Sequence, residues 1–179
     1  MKPATSFFFL FSLVVSLFPH PNFAASLVEQ VCERTHSKDN CVASFGSSPD
    51  SKQANLQQLG IIALKLASEN ATDTSLQIKK LLSDKSLGPA TEQALTDCYD
   101  QYVDANAQLA DSVAALLANA SRDVYTWVSA AIASAQSCED GLKQSGGQDS
   151  VLKQRNAMFR QLCNNVLAIN KLLVKQSGR

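Results

Sequence analysis

Two closely spaced cysteines, Cys32 and Cys41, and two distant ones, Cys98 and Cys138, stand in a chain whose apolar residues otherwise repeat at helical intervals. Bridges between them would restrict this chain more than any other feature, because a cross-link removes conformations from the unfolded state. Disulfides persist in oxidising compartments, so the same cysteines point to export. Four cysteines allow three connectivities. Helix order favours Cys32 with Cys41 closing a small hairpin and Cys98 with Cys138 clamping two long helices, with the other pairings still open. Cys163 is left over as a free thiol, read as buried and inert beside Phe159 and Leu162 at the edge of an apolar stripe.

The N-terminus carries an export signal. Lys2 precedes an apolar run from Phe7 to Phe18, followed by Pro19, Pro21 and the small residues Ala24, Ala25 and Ser26. A membrane helix needs roughly 20 apolar residues and a signal core about 7 to 15, so 1–24 reads as a cleaved secretory leader and 25–179 as the mature domain. Later segments are interrupted by Lys, Asp, Asn or Gln, and a soluble, secreted protein is expected. The full chain carries 16 Lys and Arg against 16 Asp and Glu. Losing Lys2 leaves the remainder one unit negative. With no basic stripe visible along the sequence, nucleic-acid binding through phosphate neutralisation is not expected.

The mature segment is poor in Gly and Pro and rich in Ala, Leu, Gln and Ser, which favours helix. Leu27 to about Thr35 and Lys38 to Phe45, the latter with Ser37 as cap, read as two short helices forming a hairpin over 25–48. Gly46 to Pro49 make a turn. Asp50 or Ser51 is then expected to cap a long helix reaching Leu82, with Leu56, Leu59, Ile62, Ala63, Leu66, Thr74, Ile78 and Leu81 inward and a polar notch at Asn70 and Asp73. Gly88 and Pro89 open the next helix, Pro being tolerated in a first turn. Leu95, Cys98, Tyr102, Ala105, Leu109, Ser112 and Leu116 form its seam. A third helix starts at Ser121 as cap, with Val124, Val128, Ala131, Ile132, Ala135 and Cys138 inward; Gly141, Gly146 and Gly147 mark its exit. Asp149 or Ser150 caps the last, with Leu152, Phe159, Leu162, Val166, Ile169 and Leu173 inward. Four such stripes must cover one another, so 49–176 reads as an up-and-down four-helix bundle in an all-α protein. Period-two alternation of useful length is absent.

Catalytic groups are scarce. His36, the only histidine after the leader, is followed by Ser37, Lys38 and Asp39, which reads as a surface turn rather than a nucleophile and base. Glu139 and Asp140 diverge by roughly 100° around a helix and cannot face each other. No zinc-ligand spacing or phosphate loop is present, so neither metal nor cofactor is expected. Trp127, flanked by Tyr125 and Val128, could stack a sugar, but core packing or interface anchoring is the commoner role of such an indole. A lipid carrier would need an internal cavity, whereas these seams are filled by Leu, Ile, Val and Ala.

The segments SLVEQVCERTHSKDNCVASF, LQQLGIIALKLA, ALTDCYDQYVDA, VYTWVSAAIASAQSCEDGL and LCNNVLAINKLL, with four cysteines in register, resemble the plant pectin methylesterase inhibitor and invertase inhibitor family across nearly the whole mature chain. The resemblance implies a helical hairpin attached to a four-helix bundle, bridges joining the first cysteine to the second and the third to the fourth, and a free fifth cysteine. It also implies a non-catalytic, stoichiometric inhibitor of a cell-wall enzyme in the apoplast, with the vacuole as an alternative location. Invertase-branch members carry a Pro-Lys-Phe element between the second and third bundle helices. Here LLANASRDVYTWVSAA holds Asn119, Ser121, Arg122 and Asp123 instead, which tilts the expected target towards pectin methylesterase, with acid invertase as the alternative. A monomer is expected. Polar positions on those two helices, Asp100, Asp104, Gln108, Tyr125, Thr126 and Ser129, are candidate target contacts, expected to be exposed. Asn119 and Asn70 head the sequons Asn119-Ala120-Ser121 and Asn70-Ala71-Thr72, and Asn119 is the better acceptor because it lies at a helix junction.

Overall fold

The computed structural model describes residues 26–147 and 149–178; the secretory leader expected over 1–24 lies outside them. Six α-helices follow in order: α1 (Leu27–Cys32), α2 (Lys38–Gly46), α3 (Leu56–Leu82), α4 (Pro89–Leu117), α5 (Ser121–Gln144) and α6 (Ser150–Ser177), with a 3-10 turn at Pro49–Lys52. The described residues contain no strand. Each long helix packs on its neighbour in sequence, and α6 returns to α3 to close the ring. One continuous core runs through it, from Leu59 and Ile78 of α3 to Val166 and Ile169 of α6.

Helix starts are set by local chemistry, and three of them differ from the sequence expectation. Helix α3 is capped by Asn55, not Asp50 or Ser51. Asn55 accepts from the Gln58 backbone N–H at 2.9 Å, and Gln58 accepts the Asn55 N–H at 2.9 Å in return, a reciprocal capping box. Asp50 and Ser51 belong to the 3-10 turn, where Ser51 is buried and donates to the Phe45 carbonyl at 2.9 Å. Ser37 precedes α2 without a side-chain cap bond. Ser121 is the first helical residue of α5 rather than its cap. Asp149 does cap α6, accepting from the Leu152 N–H at 2.7 Å.

The hairpin docks through its cysteines. Val31, Cys32, Cys41 and Phe45 are buried in the common core, and Asn40 donates to Gln161 of α6 at 3.3 Å. Cys32–Cys41 closes the hairpin across a sequence separation of 9, whereas Cys98–Cys138 ties α4 to α5 across 40. Cys163 is free and wholly buried, deeper than the stripe edge assigned to it from sequence. Burial pushes its thiol well above the ordinary range.

Beside the Cys98–Cys138 bridge lies a polar pocket in the core. The Tyr102 hydroxyl donates to Asn156 Oδ1 at 2.6 Å, and Asn156 Nδ2 points at Cys138 Sγ at 3.8 Å. Phe159 meets the Tyr102 ring edge-on with centroids 5.3 Å apart. Asn156 is fully buried in the stripe of α6, where apolar periodicity alone would not place an amide.

Gly60 explains how closely α3 approaches its neighbours. A Cβ there would lie 2.8 Å from Leu116 Cδ2 and 3.4 Å from Ile169 Cγ2. Gly60→Val is expected to destabilise by about 1–3 kcal/mol through overpacking. In Gly60→Ala the Leu116 side-chain end can give way, and the helix gains about 1 kcal/mol of propensity, so it should stay within about 1 kcal/mol of the parent. Denaturant titration of both variants checks the pair.

Candidate functional site

The residues weighed for catalysis and set aside in the sequence are engaged in structural contacts or stand apart. Lys38 pairs with Glu33 at 3.2 Å, and His36 is an exposed turn residue. Glu139 pairs with Arg160 of α6, while Asp140 accepts from Gln136 at 3.2 Å one turn earlier on α5. Among the described residues no group of His, Cys, Asp and Glu could hold a metal ion. No described helix is long and apolar enough to cross a membrane.

What the bundle does present is a set of fixed outer faces. Asp100 and Asp104, one turn apart, are exposed on α4. Asp97 and Asp111 fall on the same side of that helix by their spacing and are also exposed; the sequence reading passed over them. Tyr125 is 60% exposed and Thr126 is exposed, its hydroxyl donating to the Arg122 carbonyl at 3.0 Å. Gln108 and Ser129 are only half-buried rather than fully exposed, and the side-chain oxygen of Gln108 is enclosed without a hydrogen-bond partner among the described residues. Tyr125 lines a groove shared with α6, whereas Asp100 and Asp104 lie on α4. Trp127 is not a core residue: it is 39% exposed, and it points about 200° around α5 from Tyr125.

The junction between α4 and α5 is closed tightly. Asn119 adopts φ 56°, the left-handed region. Its N–H donates to the Leu116 carbonyl at 3.1 Å, and that of Ala120 to the Ala115 carbonyl at 2.8 Å, the paired bonds of a Schellman closure. Ser121 follows directly as helix, its carbonyl accepting from Asn170 of α6 at 2.8 Å. No loop projects here. Asn119→Gly should therefore be tolerated, whereas Asn119→Ala, forced into the same backbone, should cost about 1–2 kcal/mol in thermal denaturation. Asn119 itself is exposed. Asn70 is not the exposed position expected from sequence: it lies half-buried in mid-α3 with its side-chain oxygen enclosed.

Near-zero net charge hides a segregation. Helix α4 holds Glu92, Asp97, Asp100, Asp104 and Asp111 and no Lys or Arg. Helix α6, diagonally across the ring, holds Lys153, Arg155, Arg160, Lys171 and Lys175 and no acid. Lys153, Arg160, Lys171 and Lys175 fall within about 60° around the axis of α6. Arg160 is neutralised by Glu139 of α5, so Lys153, Lys171 and Lys175 are the free cations of that face among the described residues, at spacings the linear sequence does not display.

The described residues thus form a disulfide-braced helical bundle with fixed polar outer faces. Residues 26–169 match the model of the plant invertase/pectin methylesterase inhibitor family, and the chain belongs to that family. A protein of Platanus acerifolia, named provisionally as an invertase inhibitor, is 31% identical over 92% of this chain and 94% of its own length. The pectinesterase inhibitor of Actinidia deliciosa is 27% identical over 82% of this chain and 79% of its own. Among solved structures, a mutant form of an Arabidopsis pectin methylesterase inhibitor superposes with a TM-score of 0.72 at 25% identity, covering 83% of this chain and 97% of that one. The chain is thus a proteinaceous enzyme inhibitor and not an enzyme.

Proposed function

We propose that this protein inhibits a plant pectin methylesterase by forming a one-to-one complex that covers the enzyme's substrate cleft. The observation that carries this target is the α4–α5 junction: Ala118, Asn119 and Ala120 are drawn into a helix-to-helix closure, leaving no peptide to enter a sugar pocket. Steric occlusion requires shape and rigidity, and an interface of standard size buries about 1,600 Å² in total, well within reach of two long helix faces. Preformed helices reduce the ordering cost of docking. Secretion to the apoplast follows from the leader sequence, and a glycan on exposed Asn119 would further crowd the junction.

Acid invertase is the second reading, favoured by the name given to the Platanus relative. Titrating the purified oxidised protein against a plant pectin methylesterase and an acid invertase separates the two. Loss of esterase activity alone supports the proposal; loss of invertase activity alone overturns it. Glycosidase treatment of plant-expressed protein should lower its mass by one glycan, and the shift should vanish in Asn119→Gln.

A further inference from the structure

The hairpin, the start of α5 and the last turns of α6 enclose an open groove of about 710 Å³. Its volume lies in the range of ligand sites, about 300–1,000 Å³. Three cations from three elements border it: Arg34 after α1, Arg122 on α5 and Lys171 on α6. Among the described residues none of them makes an ion pair, and no Asp or Glu lines the groove. Leu167 and Val174 give it an aliphatic surface, and the exposed Tyr125 ring joins the same lining.

We infer that this groove binds a short stretch of acidic polysaccharide, a chain of uronate sugars carrying free carboxylates. Charge complementarity selects an anion, because three unpaired cations border one groove whose described lining holds no carboxylate. The aliphatic floor and the tyrosine ring suit the C–H faces of sugar rings, which a bare phosphate backbone does not offer. Thr35 and Asn164, also in the lining, supply hydroxyl and amide groups for ring hydroxyls. The inference rests on the proposed target. Hydrolysis of a uronate methyl ester releases methanol and leaves a carboxylate, so the esterase's product carries the charge that its substrate lacks. An inhibitor with this groove would be retained on stretches of polymer already de-esterified.

Calorimetric titration of the inhibitor alone tests this without the enzyme. A fully de-esterified oligogalacturonide should bind saturably at low salt, and more weakly as salt rises. The Arg34→Ala, Arg122→Ala, Lys171→Ala triple variant should bind about ten- to a hundredfold more weakly, since exposed pairs contribute roughly two- to fivefold each. Its melting temperature should match the parent, the three side chains being exposed. Absence of saturable binding, equal binding of the methyl-esterified oligomer, undiminished binding by the triple variant, or equally tight binding of poly-glutamate or single-stranded DNA would each overturn the inference. Because esterase inhibition is assayed separately, a protein that binds the oligomer but spares the esterase would retain the groove and lose the target.

Discussion

Replacing Cys98 and Cys138 together by alanine is expected to lower the melting temperature by about 12 °C, the largest effect of any pair in this chain. The bridge spans a sequence separation of 40, and a loop of that size corresponds to about 4 kcal/mol of unfolded-state entropy. For a domain of about 150 residues, 1 kcal/mol is worth about 2–4 °C. Removing Cys32–Cys41, with a separation of 9, should cost about 2.5 kcal/mol by the same relation. The long bridge also joins the two helices that carry all six candidate contacts, so its loss should loosen the α4–α5 face before the rest of the ring. Circular dichroism melts of the two double variants give the comparison. Equal melting temperatures would show that loop length does not set their ranking.

The second large effect belongs to Tyr102. Tyr102→Ala empties a fully buried ring position against Phe159 and should cost about 3–5 kcal/mol. Tyr102→Phe keeps the ring but leaves Asn156 Oδ1 without its donor, at about 1–3 kcal/mol. Adding Asn156→Leu to Tyr102→Phe removes both partners and should recover part of that loss; a strictly additive double variant would contradict the pairing.

The same burial gives a pH signature. Desolvation raises the Tyr102 hydroxyl above its ordinary 10.0 and the Cys163 thiol above its ordinary 9.0, so each stays neutral in the native state after the unfolded chain has begun to ionise. A raised pKa of this kind leaves stability intact below the unfolded value and loses it as pH climbs towards the native one. Stability should therefore be flat through neutral pH and fall from about pH 9 upwards, by about 1.4 kcal/mol per pH unit for each group once that group is ionised in the unfolded state. Cys163→Ala should flatten the decline between pH 9 and 10, leaving the Tyr102 contribution above pH 10.

Periodicity made the bundle legible, because the residues that must be covered recur every three or four positions. Leu95, Cys98, Tyr102, Ala105, Leu109, Ser112 and Leu116 form a seam in the sequence and a buried row on α4. What periodicity could not supply was the chemistry of single contacts. Asn55 with Gln58 forms a capping box four residues beyond the cap candidate Ser51, an x-x spacing that competes with several similar pairs in a Ser- and Gln-rich chain. Asn156 reads as polar until Tyr102, 54 residues earlier, is seen to need its acceptor. The basic groove was the least accessible of all. Arg34 and Lys171 lie near opposite ends of the described residues, and only the docking of the hairpin on α6 brings them to one rim.

The central claim is that a braced, preformed bundle blocks another enzyme by occupying it, with no chemistry of its own. Titrating a pectin methylesterase with oxidised inhibitor, and in parallel with inhibitor whose two bridges have been reduced, tests that claim directly. The account predicts that activity falls linearly to an equivalence point at one inhibitor per enzyme, that intact inhibitor is recovered, and that the reduced form is markedly less potent. Full potency without the bridges, or inactivation of many enzyme molecules by one inhibitor, would contradict it.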